Sequence, residues 1–537
     1  MATVADVLAQ GLVAAGIDTV FGLPGGENVE VLDALRRHGL DFVLAKNESS
    51  AVFMADATAR LSGRPGVALA TLGPGAGNAF CGMAHAYLDR APVLLITAQS
   101  SVHYRGRHTH QALDLQAIFT PVSKWCRELT SVRARQMVAE ALRVTLAGRP
   151  GPVHLRLSDE TAAQEVVESE DETAPGATRP AASDTALIAE ARASLAQARR
   201  PLIVVGLGAE PEKPYEAIRQ LAEAAQAPVV VTPKAKGALS DAHPLAAGTF
   251  GLTRDDPPYR LVDESDCIVA VAFDVVELVR PWQQPQPLIW VAPWANTDPA
   301  LPSVRYELVG ETAPVLEALA QADFHAVSEW GEARVAAFRR EEKRRVRSAA
   351  APERLQPRLQ PQAFLAALRA VVPAGVVVTT DVGAHKIAAG LSWPVYVPNT
   401  YLVSNGLSAM GYGLPAAIAA ARASGQPSLC LTGDGGLHMV LGELSVAREL
   451  SLPVIAVVFN DNALDLIRSA QRRRGKAVYG TEFANPNYAA VARGFGLDFY
   501  RVEDEAGVRE ALGEALARGR PALVEVLIDP AGYPTAP

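Results

Sequence analysis

Two acidic side chains, Asp434 and Asp461, directly follow two apolar stretches in the C-terminal part of the sequence. These stretches, "PSLCLTG" and "PVIAVVFN", favour buried β-strands. Ligands of a parallel α/β sheet gather where the strands end, so carboxylates 27 positions apart (461 − 434) would converge if these strands were neighbours. Two carboxylates and a backbone carbonyl form half of an octahedral oxygen shell, which phosphate oxygens and water can complete. The spacing therefore indicates a magnesium–diphosphate site.

Three glycines surround the first carboxylate in the motif "GDGG", formed by Gly433, Asp434, Gly435 and Gly436. Residues without a Cβ atom let backbone N–H groups approach an anion at the start of a helix. The alternative is a pair of ordinary strand-end turns, in which Gly, Asp and Asn are common. The residue types leave both interpretations open and favour the metal–phosphate site.

A third carboxylate, Glu48, lies in the N-terminal part between the strand pattern "DFVLAK" and the helical pattern "SSAVFMADATARL". Its position is again the end of a predicted strand. A glutamate at this place can also serve only to stabilise the start of a helix through the macrodipole. For an isolated glutamate that structural role is the more common one.

The elements that must position these side chains alternate short apolar strands with helical patterns along the chain, which predicts α/β layers around mostly parallel sheets. Two Pro-interrupted stretches without apolar periodicity, residues 166–184 and 349–361, are predicted linkers. They divide the chain into predicted domains 1–165, 185–348 and 362–537.

The first and third segments share an outline. "GPGAGN" precedes a helical pattern and "APVLLITAQ", just as "GDGG" precedes a helical pattern and "LPVIAVVFN". Each segment then closes on Arg-Pro and a strand, "RPGPVHLRLSD" and "RPALVEVLID". Loose matches of this kind also arise by chance, so a duplicated domain is one of two readings. The predicted fold is α/β, with three doubly wound parallel-sheet domains of which the first and third are related.

Composition excludes several classes of function. The 537 residues exceed what one hydrophobic core usually serves, and 49% hydrophobic with 20% charged residues is normal for a globular enzyme. A net charge of -8 gives no reason to expect a nucleic-acid partner. No apolar stretch approaches the roughly 20 residues of a membrane span. Four cysteines without CxxC spacing suit reduced thiols, and we expect a cytoplasmic protein.

Several of these motifs together resemble one family. "GDGG", the helix "VLGELSVAREL", the strand "LPVIAVVFND" and the 27-position spacing are similar to the thiamine diphosphate (ThDP) motif of the acetolactate synthase and pyruvate decarboxylase superfamily. "VFGLPGGENVEVLDAL" and "ESSAVFMADATARLSGRPGVALATLGPGAGN" resemble its pyrimidine-binding domain, and "TPKAKGALSDAHPLAAGTFG" resembles its central domain. "TTDVGAHKIAAGL" and "SNGLSAMGYGLPAA" resemble its diphosphate-binding domain. The likeness covers nearly the whole chain in the family's order.

The resemblance implies that domains 1–165 and 362–537 share a fold and that 185–348 is the central domain. It also implies that the two outer domains bind ThDP and Mg²⁺ between subunits of a homodimer or homotetramer. Glu48 matches the glutamate that hydrogen-bonds the aminopyrimidine and promotes loss of the cofactor's C2 proton. Met410 matches the bulky residue that props the bent cofactor. Metal ligands carried over are Asp434, Asp461 and the backbone carbonyl of Ala463. Further cofactor-binding positions carried over are Pro24, Gly25, Asn78, His385, Gly406, Leu407, Gly433, Gly435 and Gly436.

Gln111 matches a substrate-side glutamine, but its surroundings depart from the synthases. The triplet is His110, Gln111, Ala112, where the synthases have Phe-Gln-Glu. Where the synthases have a phenylalanine ring, His110 offers an ionisable group that can relay protons near pH 7. A histidine on a surface loop without such a role is an equally good interpretation. Ala470 stands where those enzymes carry a tryptophan that selects the second oxoacid. The flavin-associated Arg-Phe-Asp-Asp-Arg stretch is replaced by "AFDVVELVRPW", so FAD is not expected.

The reaction within the superfamily stays open at this level. Gly26 replaces the catalytic aspartate of pyruvate decarboxylase, and Thr71 replaces a histidine of benzoylformate decarboxylase. The favoured reading is an acetolactate synthase-like enzyme that decarboxylates a 2-oxoacid and ligates the acyl unit to a carbonyl acceptor. The alternative is a non-ligating lyase acting on a 2-oxoacid or a 2-hydroxyacyl-CoA. A non-catalytic cofactor-binding relative is remote, because Glu48, Asp434 and Asp461 are all present.

Overall fold

The computed structural model of the protein contains three sheets of six strands each in the described part of the chain. Most residues of the predicted linkers lie outside that part. The structure describes residues 2–104, 110–167, 184–296, 301, 304–324, 328–349 and 358–534.

The first sheet lies in the N-terminal part of the chain. Its strands are β1 Thr19–Leu23, β2 Asp41–Leu44, β3 Gly66–Ala70, β4 Val93–Ala98, β5 Trp125–Glu128 and β6 Val153–Leu157. Its helices are α1 Val4–Ala14, α2 Val29–Arg37, α3 Glu48–Ser62, α4 Pro74–Leu88, α5 Leu115–Phe119, α6 Ala134–Leu146 and α7 Asp159–Ala163. The strand order is β2-β1-β3-β4-β6-β5, with every neighbouring pair parallel.

The middle sheet has the order of dinucleotide-binding folds. Its strands are β7 Pro201–Val205, β8 Val229–Val231, β9 Ala246–Thr249, β10 Cys267–Val271, β11 Leu288–Ala292 and β12 Val304–Val309. Its helices are α8 Thr185–Ala196, α9 Tyr215–Ala225, α10 Tyr259–Glu264, α11 Thr312–Ala320 and α12 Gly331–Ala349. The parallel order β12-β11-β10-β7-β8-β9 reverses between β7 and β10, the place where such folds bind their ligand.

The third sheet repeats the order of the first. Its strands are β13 Val377–Thr380, β14 Tyr401–Val403, β15 Ser428–Gly433, β16 Val454–Asn460, β17 Asp498–Val502 and β18 Ala522–Leu527. Its helices are α13 Pro361–Val371, α14 Ala384–Ser392, α15 Gly413–Ser424, α16 Asp434–Met439, α17 Leu444–Glu449, α18 Asp465–Arg473, α19 Tyr488–Phe495 and α20 Glu505–Arg518. The order β14-β13-β15-β16-β18-β17 matches the first sheet strand for strand. The predicted α/β fold with related first and third domains is confirmed.

The contacts of the described residues group the chain into two compact units. The three sheets lie within the three predicted domains, whose boundaries stay predictions. Among the described residues, no helix is both long and apolar enough to cross a membrane. The first unit comprises Met1–Arg179, Leu407–Gln426 and Met439–Leu452, and the second comprises Pro180–Gly406, Pro427–His438 and Pro453–Pro537.

Local chemistry fixes where α3 begins. The side chain of Asn47 accepts a hydrogen bond from the Ser49 N–H at 2.8 Å, which caps the helix. Gly63 ends α3 in the left-handed conformation, at φ 71°. Because β2 ends just before this cap, Glu48 becomes the first helical residue at the carboxyl end of a strand.

The crevice between β7 and β10 is filled by the protein's own side chains. Glu277 is buried there, and its carboxylate accepts hydrogen bonds from the N–H groups of Leu207 and Lys234, both at 3.1 Å. Burial raises the pKa of Glu277 to about 7. A Cβ atom on Gly208 would come within 2.2 Å of the Trp294 ring. Backbone amides after β7 and β8 therefore have an internal acceptor.

Candidate active site

Asp434 and Asp461 follow neighbouring strands, which was the condition for a shared site. β15 and β16 pair in parallel with Gly433 opposite Phe459, so the next residues leave the sheet at one edge. Both carboxylates are buried, at 2% exposure for Asp434 and 8% for Asp461. The N–H of Asp461 donates to Asp434 Oδ2 at 3.2 Å. The structure thus brings the two predicted metal ligands together.

The carboxylate of Asp434 organises the loop that carries the second carboxylate. Its Oδ2 atom accepts from the N–H of Asn462 and from Nδ2 of Asn485, each at 2.8 Å. Asn462 takes a left-handed backbone conformation, at φ 58°. The loop closes on Asp461, whose Oδ1 atom accepts from the N–H of Ala463 at 3.1 Å. The three positions carried over as metal ligands therefore lie around one tight turn.

The charges at this edge fit a cation. Burial, and then the negative charges of Asp434 and Asp465, raise the pKa of Asp461 to about 8. Burial also raises the pKa of Asp434, against four hydrogen bonds that lower it. A divalent cation would relieve this repulsion, and carboxylate and carbonyl oxygens are the ligands that Mg²⁺ prefers. In the described ranges no group of three or more His, Cys, Asp or Glu side chains could hold a metal ion, so phosphate oxygens or water would have to complete the shell.

His385, on α14, lies against the glycine loop. A Cβ atom added to Gly383 would come within 2.8 Å of the His385 ring, and one added to Gly433 would come within 3.1 Å of it. Burial lowers the pKa of His385 to about 3, so the imidazole is neutral. Within the part of the chain that the structure describes, its Nε2 atom is buried without a hydrogen-bond partner. Such an atom calls for an explanation, and a polar ligand atom beside the glycine loop supplies one.

Gly436 is required by a close approach between two strand ends. A Cβ atom there would come within 2.4 Å of Oδ2 of Asp381, the residue that follows β13. Asp381 is itself buried and accepts a hydrogen bond from the Thr432 hydroxyl at 3.1 Å. The strand order of the third sheet reverses between β13 and β15, which is where open α/β sheets bind ligands.

Asn485 is part of this edge although sequence analysis did not select it. Besides its bond to Asp434, its Nδ2 atom donates to Asn460 Oδ1 at 2.8 Å. Nδ2 of Asn460 in turn donates to Glu525 Oε1 at 2.6 Å. Asn485 lies between α18 and α19 in a stretch without periodicity, so only the folded chain reveals its place. The strand-end position of Asn460 was the one available signal.

In the first unit, Glu48 lies beside Asn78. Its side chain is buried, at 4% exposure, and its Oε2 atom accepts from Nδ2 of Asn78 at 3.1 Å. A Cβ atom on Gly75 would come within 3.1 Å of Glu48 Oε1 and within 2.7 Å of Thr71. The structure therefore brings together the predicted catalytic glutamate and one predicted cofactor-binding residue.

The loop after β1 reaches the same edge of the first sheet. A Cβ atom on Gly25 would come within 2.3 Å of the Thr71 hydroxyl oxygen, and Pro24 precedes it, half-buried. The Thr71 hydroxyl donates to Glu27 Oε2 at 2.9 Å, and the Gly25 N–H donates to Asn28 Oδ1 at 3.0 Å. β1 and β3 are the pair at which this sheet's strand order reverses. Glu27 is a second carboxylate here that sequence analysis did not select.

Gln111 packs on the start of α4. The Gln111 backbone is left-handed, at φ 58°. A Cβ atom added to Gly73 would come within 2.7 Å of the Gln111 Cβ atom. Gln111 is half-buried, whereas His110 is exposed in a turn. The structure thus places Gln111 next to the helix of Asn78, and no described contact joins His110 to this group.

The remaining predicted positions lie around the turn before α15. The Leu407 N–H donates to Asp89 Oδ2 at 3.2 Å within the first unit. Met410 is half-buried, and Gly406 belongs to the second unit. No described contact joins Met410 to Glu48.

Three family models match the chain. The thiamine pyrophosphate enzyme N-terminal TPP binding domain matches residues 2–118, the central domain matches 188–319 and the C-terminal TPP binding domain matches 381–526. The large subunit of acetolactate synthase isozyme 1 from Escherichia coli (strain K12) is 32% identical to the chain over 557 residues. That alignment covers 98% of this chain and 94% of that protein. The chain belongs to the thiamine pyrophosphate enzymes.

Other relatives of this thiamine pyrophosphate enzyme span its whole length as well. Acetolactate synthase from Bacillus subtilis (strain 168) is 29% identical, with 98% of this chain and 93% of that protein covered. The putative thiamine pyrophosphate-containing protein YdaP of the same organism is also 29% identical, over 96% of this chain and 89% of that protein. The predicted membership, an acetolactate synthase-like enzyme acting on carbon–carbon bonds, is confirmed.

Both groups of site residues fall within matched TPP binding domains. Glu48, Asn78 and Gln111 lie in the N-terminal domain, and His385 with the pair Asp434 and Asp461 lies in the C-terminal domain. Asn78 and Asp434 follow β3 and β15, strands at which the order of the first and third sheets reverses. The enzyme thus offers one strand-end edge in each of its two cofactor-binding domains.

Proposed function

We propose that this enzyme uses ThDP and Mg²⁺ to decarboxylate a 2-oxoacid and to ligate the acyl unit to a carbonyl acceptor. The observation that carries the proposal is the pairing of Asp434 with Asp461 at one sheet edge within a TPP binding domain. The likeness to acetolactate synthases over 98% of the chain supports ligation over simple decarboxylation.

Mg²⁺ would be held by the carboxylates of Asp434 and Asp461 and by the backbone carbonyl of Ala463. His385 and the GDGG loop would face the diphosphate. The donor set supports this assignment, since a cation would offset the repulsion between two buried carboxylates.

Replacing Asp434 by asparagine tests the metal assignment. Asp434→Asn keeps the size and an oxygen that accepts from the Asn462 N–H, but it removes the charge that would bind Mg²⁺. We expect the affinity for ThDP in the presence of Mg²⁺, measured by titration calorimetry, to fall by about ten- to hundredfold.

Asp504→Asn is the matched control, because Asp504 is an exposed helix cap of α20 and asparagine caps a helix equally well. This control should bind ThDP like the wild type. Wild-type affinity in Asp434→Asn would refute the metal site.

Glu48 would act on the aminopyrimidine of the cofactor. ThDP, when bound, supplies the carbon atom that attacks the 2-oxoacid and lets carbon dioxide leave. The Glu48 carboxylate would share a proton with the aminopyrimidine ring nitrogen, which tunes that ring as the base for the C2 proton. Asn78 fixes one carboxylate oxygen of Glu48 by its hydrogen bond at 3.1 Å, so the other oxygen is left to meet the ring.

We further propose that the active site is shared between two subunits of a homodimer, or of a homotetramer built from such dimers. Glu48 belongs to the first domain, and Asp434 with Asp461 belongs to the third. Two sheet-end crevices can enclose one cofactor only by facing each other, and a two-fold axis lets each domain meet the other's counterpart.

Two inactive variants test this sharing. Glu48→Gln should slow exchange of the C2 proton of bound ThDP by at least roughly a hundredfold, because the amide cannot take part in proton transfer, while ThDP still binds. Mixing Glu48→Gln with Asp434→Ala subunits should restore activity, since a hybrid dimer has one site that carries neither lesion.

The measurements are C2 exchange by quenched NMR, and activity after subunit exchange, with exchange itself followed by labelled subunits. Recovered activity supports a site shared between subunits. A fully active monomer, or no recovery despite demonstrated subunit exchange, would refute it.

The substrate pocket would differ from that of branched-chain acetolactate synthases. Gln111 is the polar group placed to meet the substrate, and its packing on Gly73 fixes it beside the helix of Asn78. Ala112 and Ala470, both half-buried, stand where the synthases carry a carboxylate and a tryptophan. Smaller side chains leave more room for the acceptor, so we expect a changed choice of second substrate.

A substrate panel tests the reaction type. Purified enzyme with ThDP and Mg²⁺ is incubated with pyruvate and larger 2-oxoacids, alone and in pairs, and with 2-hydroxyacyl-CoA thioesters. We expect 2-hydroxy-3-oxoacids as products, measured by mass spectrometry. Free aldehyde without a ligated product, or consumption of the thioester alone, would overturn the proposal in favour of a lyase.

FAD is not expected to bind the central domain. The amides at its strand reversal already donate to Glu277, and Trp294 covers Gly208, so a dinucleotide pyrophosphate would have to displace both. The segment "AFDVVELVRPW" also lacks the two arginines of the flavin-associated stretch.

Absorption spectra of the purified enzyme test this expectation. They should show no flavin bands, and the supernatant of the denatured enzyme should contain no FAD by fluorescence. Flavin present in equal amount to the enzyme would contradict the proposal.

We place the enzyme in the cytoplasm. Its four cysteines are free thiols, and three of them are buried. Such cysteine usage suits a reducing compartment.

A further inference from the structure

A buried carboxylate outside the site described so far holds the turn that carries Glu48. Glu443 ends a short 3₁₀ segment, Leu441–Glu443, and is 1% exposed. Its Oε1 atom accepts a hydrogen bond from the backbone N–H of Lys46 at 3.0 Å. Both residues belong to the first unit, although 397 positions separate them in the chain.

The same segment grips Lys46 in two further ways. Nζ of Lys46 lies 3.1 Å from Glu449 on α17, in a partly exposed ion pair. A Cβ atom on Gly442 would come within 3.3 Å of the Lys46 Cβ, so the backbone of this segment packs directly on the turn. Lys46 is therefore held mainly by its amide and its stem, because a partly exposed ion pair contributes little.

The position of Glu443 is unfavourable for stability alone. Its Oε2 atom is buried and, within the described residues, makes no hydrogen bond. An apolar side chain of similar volume would fill such a place without burying a charge. A buried carboxylate that accepts from the amide two residues before Glu48 instead indicates a role in the conformation of this turn.

We infer that Glu443 is a positioning residue, which fixes the Lys46–Ser50 turn and thereby the orientation of the Glu48 carboxylate toward the aminopyrimidine. This inference rests on the proposed function, in which Glu48 promotes loss of the C2 proton. The orientation of the Glu48 carboxylate then depends on the hydrogen bond between Glu443 and the Lys46 amide. An error of about 1 Å at a reacting group can reduce a rate by about a hundredfold.

The ionisation of Glu443 makes this role dependent on pH. Burial raises its pKa to about 7, while the hydrogen bond from the Lys46 amide and the Lys46 charge act in the opposite direction. The charged groups around it are Lys46 itself and, through Lys46, Glu449. Above pH 7 the carboxylate is ionised and accepts the Lys46 N–H more strongly than its protonated form does.

Three variants separate this role from a purely structural one. Glu443→Leu removes the acceptor, and we expect C2 exchange of bound ThDP at pH 8 to fall by about ten- to hundredfold, with ThDP affinity within about threefold of wild type. Glu443→Gln keeps an oxygen for the Lys46 N–H and should exchange within about threefold of wild type at pH 8. Glu449→Gln, the matched control on the same segment, removes only the exposed ion pair and should exchange like wild type.

The pH profile is the decisive second measurement. In the wild type, the exchange rate should rise between pH 6 and 8 as Glu443 ionises, and Glu443→Gln should lose that part of the rise. The stability of the fold should depend on the ionisation of Glu443 in the opposite sense, and decrease as the pH rises. A raised pKa stabilises the fold below about 4.5, and that stabilisation is lost as the pH rises through 7, so Glu443→Gln should gain thermal stability relative to wild type on going from pH 5 to pH 8.

Glu48→Gln is measured alongside and distinguishes the two levels of the proposal. If Glu48→Gln leaves C2 exchange unchanged, the proposed function of Glu48 is wrong and the inference about Glu443 falls with it. If Glu48→Gln slows exchange and Glu443→Leu does not, only the positioning role is overturned. Equal loss of exchange and of ThDP binding in Glu443→Leu would likewise overturn it in favour of a general structural role.

Discussion

The parallel pairing of β15 with β16 is the constraint on which the rest of the cofactor site depends. With Gly433 opposite Phe459, the next residues along each strand emerge side by side. A slip of one residue would move Asp461 by about 3.3 Å along the sheet and turn the alternate side chains to the other face. The buried apolar side chains of both strands prevent such a slip, because every residue of β16 lies in the interior. Packing in the sheet thus fixes the positions from which the two carboxylates emerge.

Several acidic groups of this protein are buried, where they cost stability. Burial raises the pKa of Asp461, Glu277 and Glu443 to about 7 or 8, which means that the folded chain resists their ionisation. Each of them accepts a hydrogen bond from at least one backbone amide. Apolar clusters packed on each of the three sheets offset this cost. The sheet interiors thus stabilise the fold, while loops and short helical segments outside the strands hold the buried carboxylates.

Much of the fold was predictable from the sequence, because short apolar runs bounded by Gly, Pro and Asp usually form buried β-strands. "DFVLAK", "PVLLITA" and "PVIAVVF" are strands β2, β4 and β16, and Glu48 begins a helix at the end of β2. The convergence of Asp434 and Asp461 followed from one assumption, that their strands are neighbours. These inferences succeeded because the periodicity of apolar residues and the end of a strand can both be recognised from a short stretch of sequence.

What the sequence did not reveal depends on long-range contacts. Asn485 reaches Asp434 from an irregular stretch, and Glu443 reaches Lys46 across 397 positions. The need for glycine at position 436 becomes visible only when Asp381 from β13 lies beside it. Residues of these types are common in loops and helices, so nothing in their neighbours along the chain distinguishes them. Polar partners brought in from other elements are therefore the part of a site that sequence patterns miss.

The shared strand order of the first and third sheets has a consequence for the history of this enzyme. A single ancestral α/β unit that paired with its own copy would present the same strand-end edge twice, and both halves of a cofactor would meet identical side chains. Fusion of two copies into one gene lets each edge change independently. In the present chain one edge carries Glu48 with Asn78, and the other carries Asp434 with Asp461. Two sheets of the same strand order can therefore carry different chemistry at their strand ends.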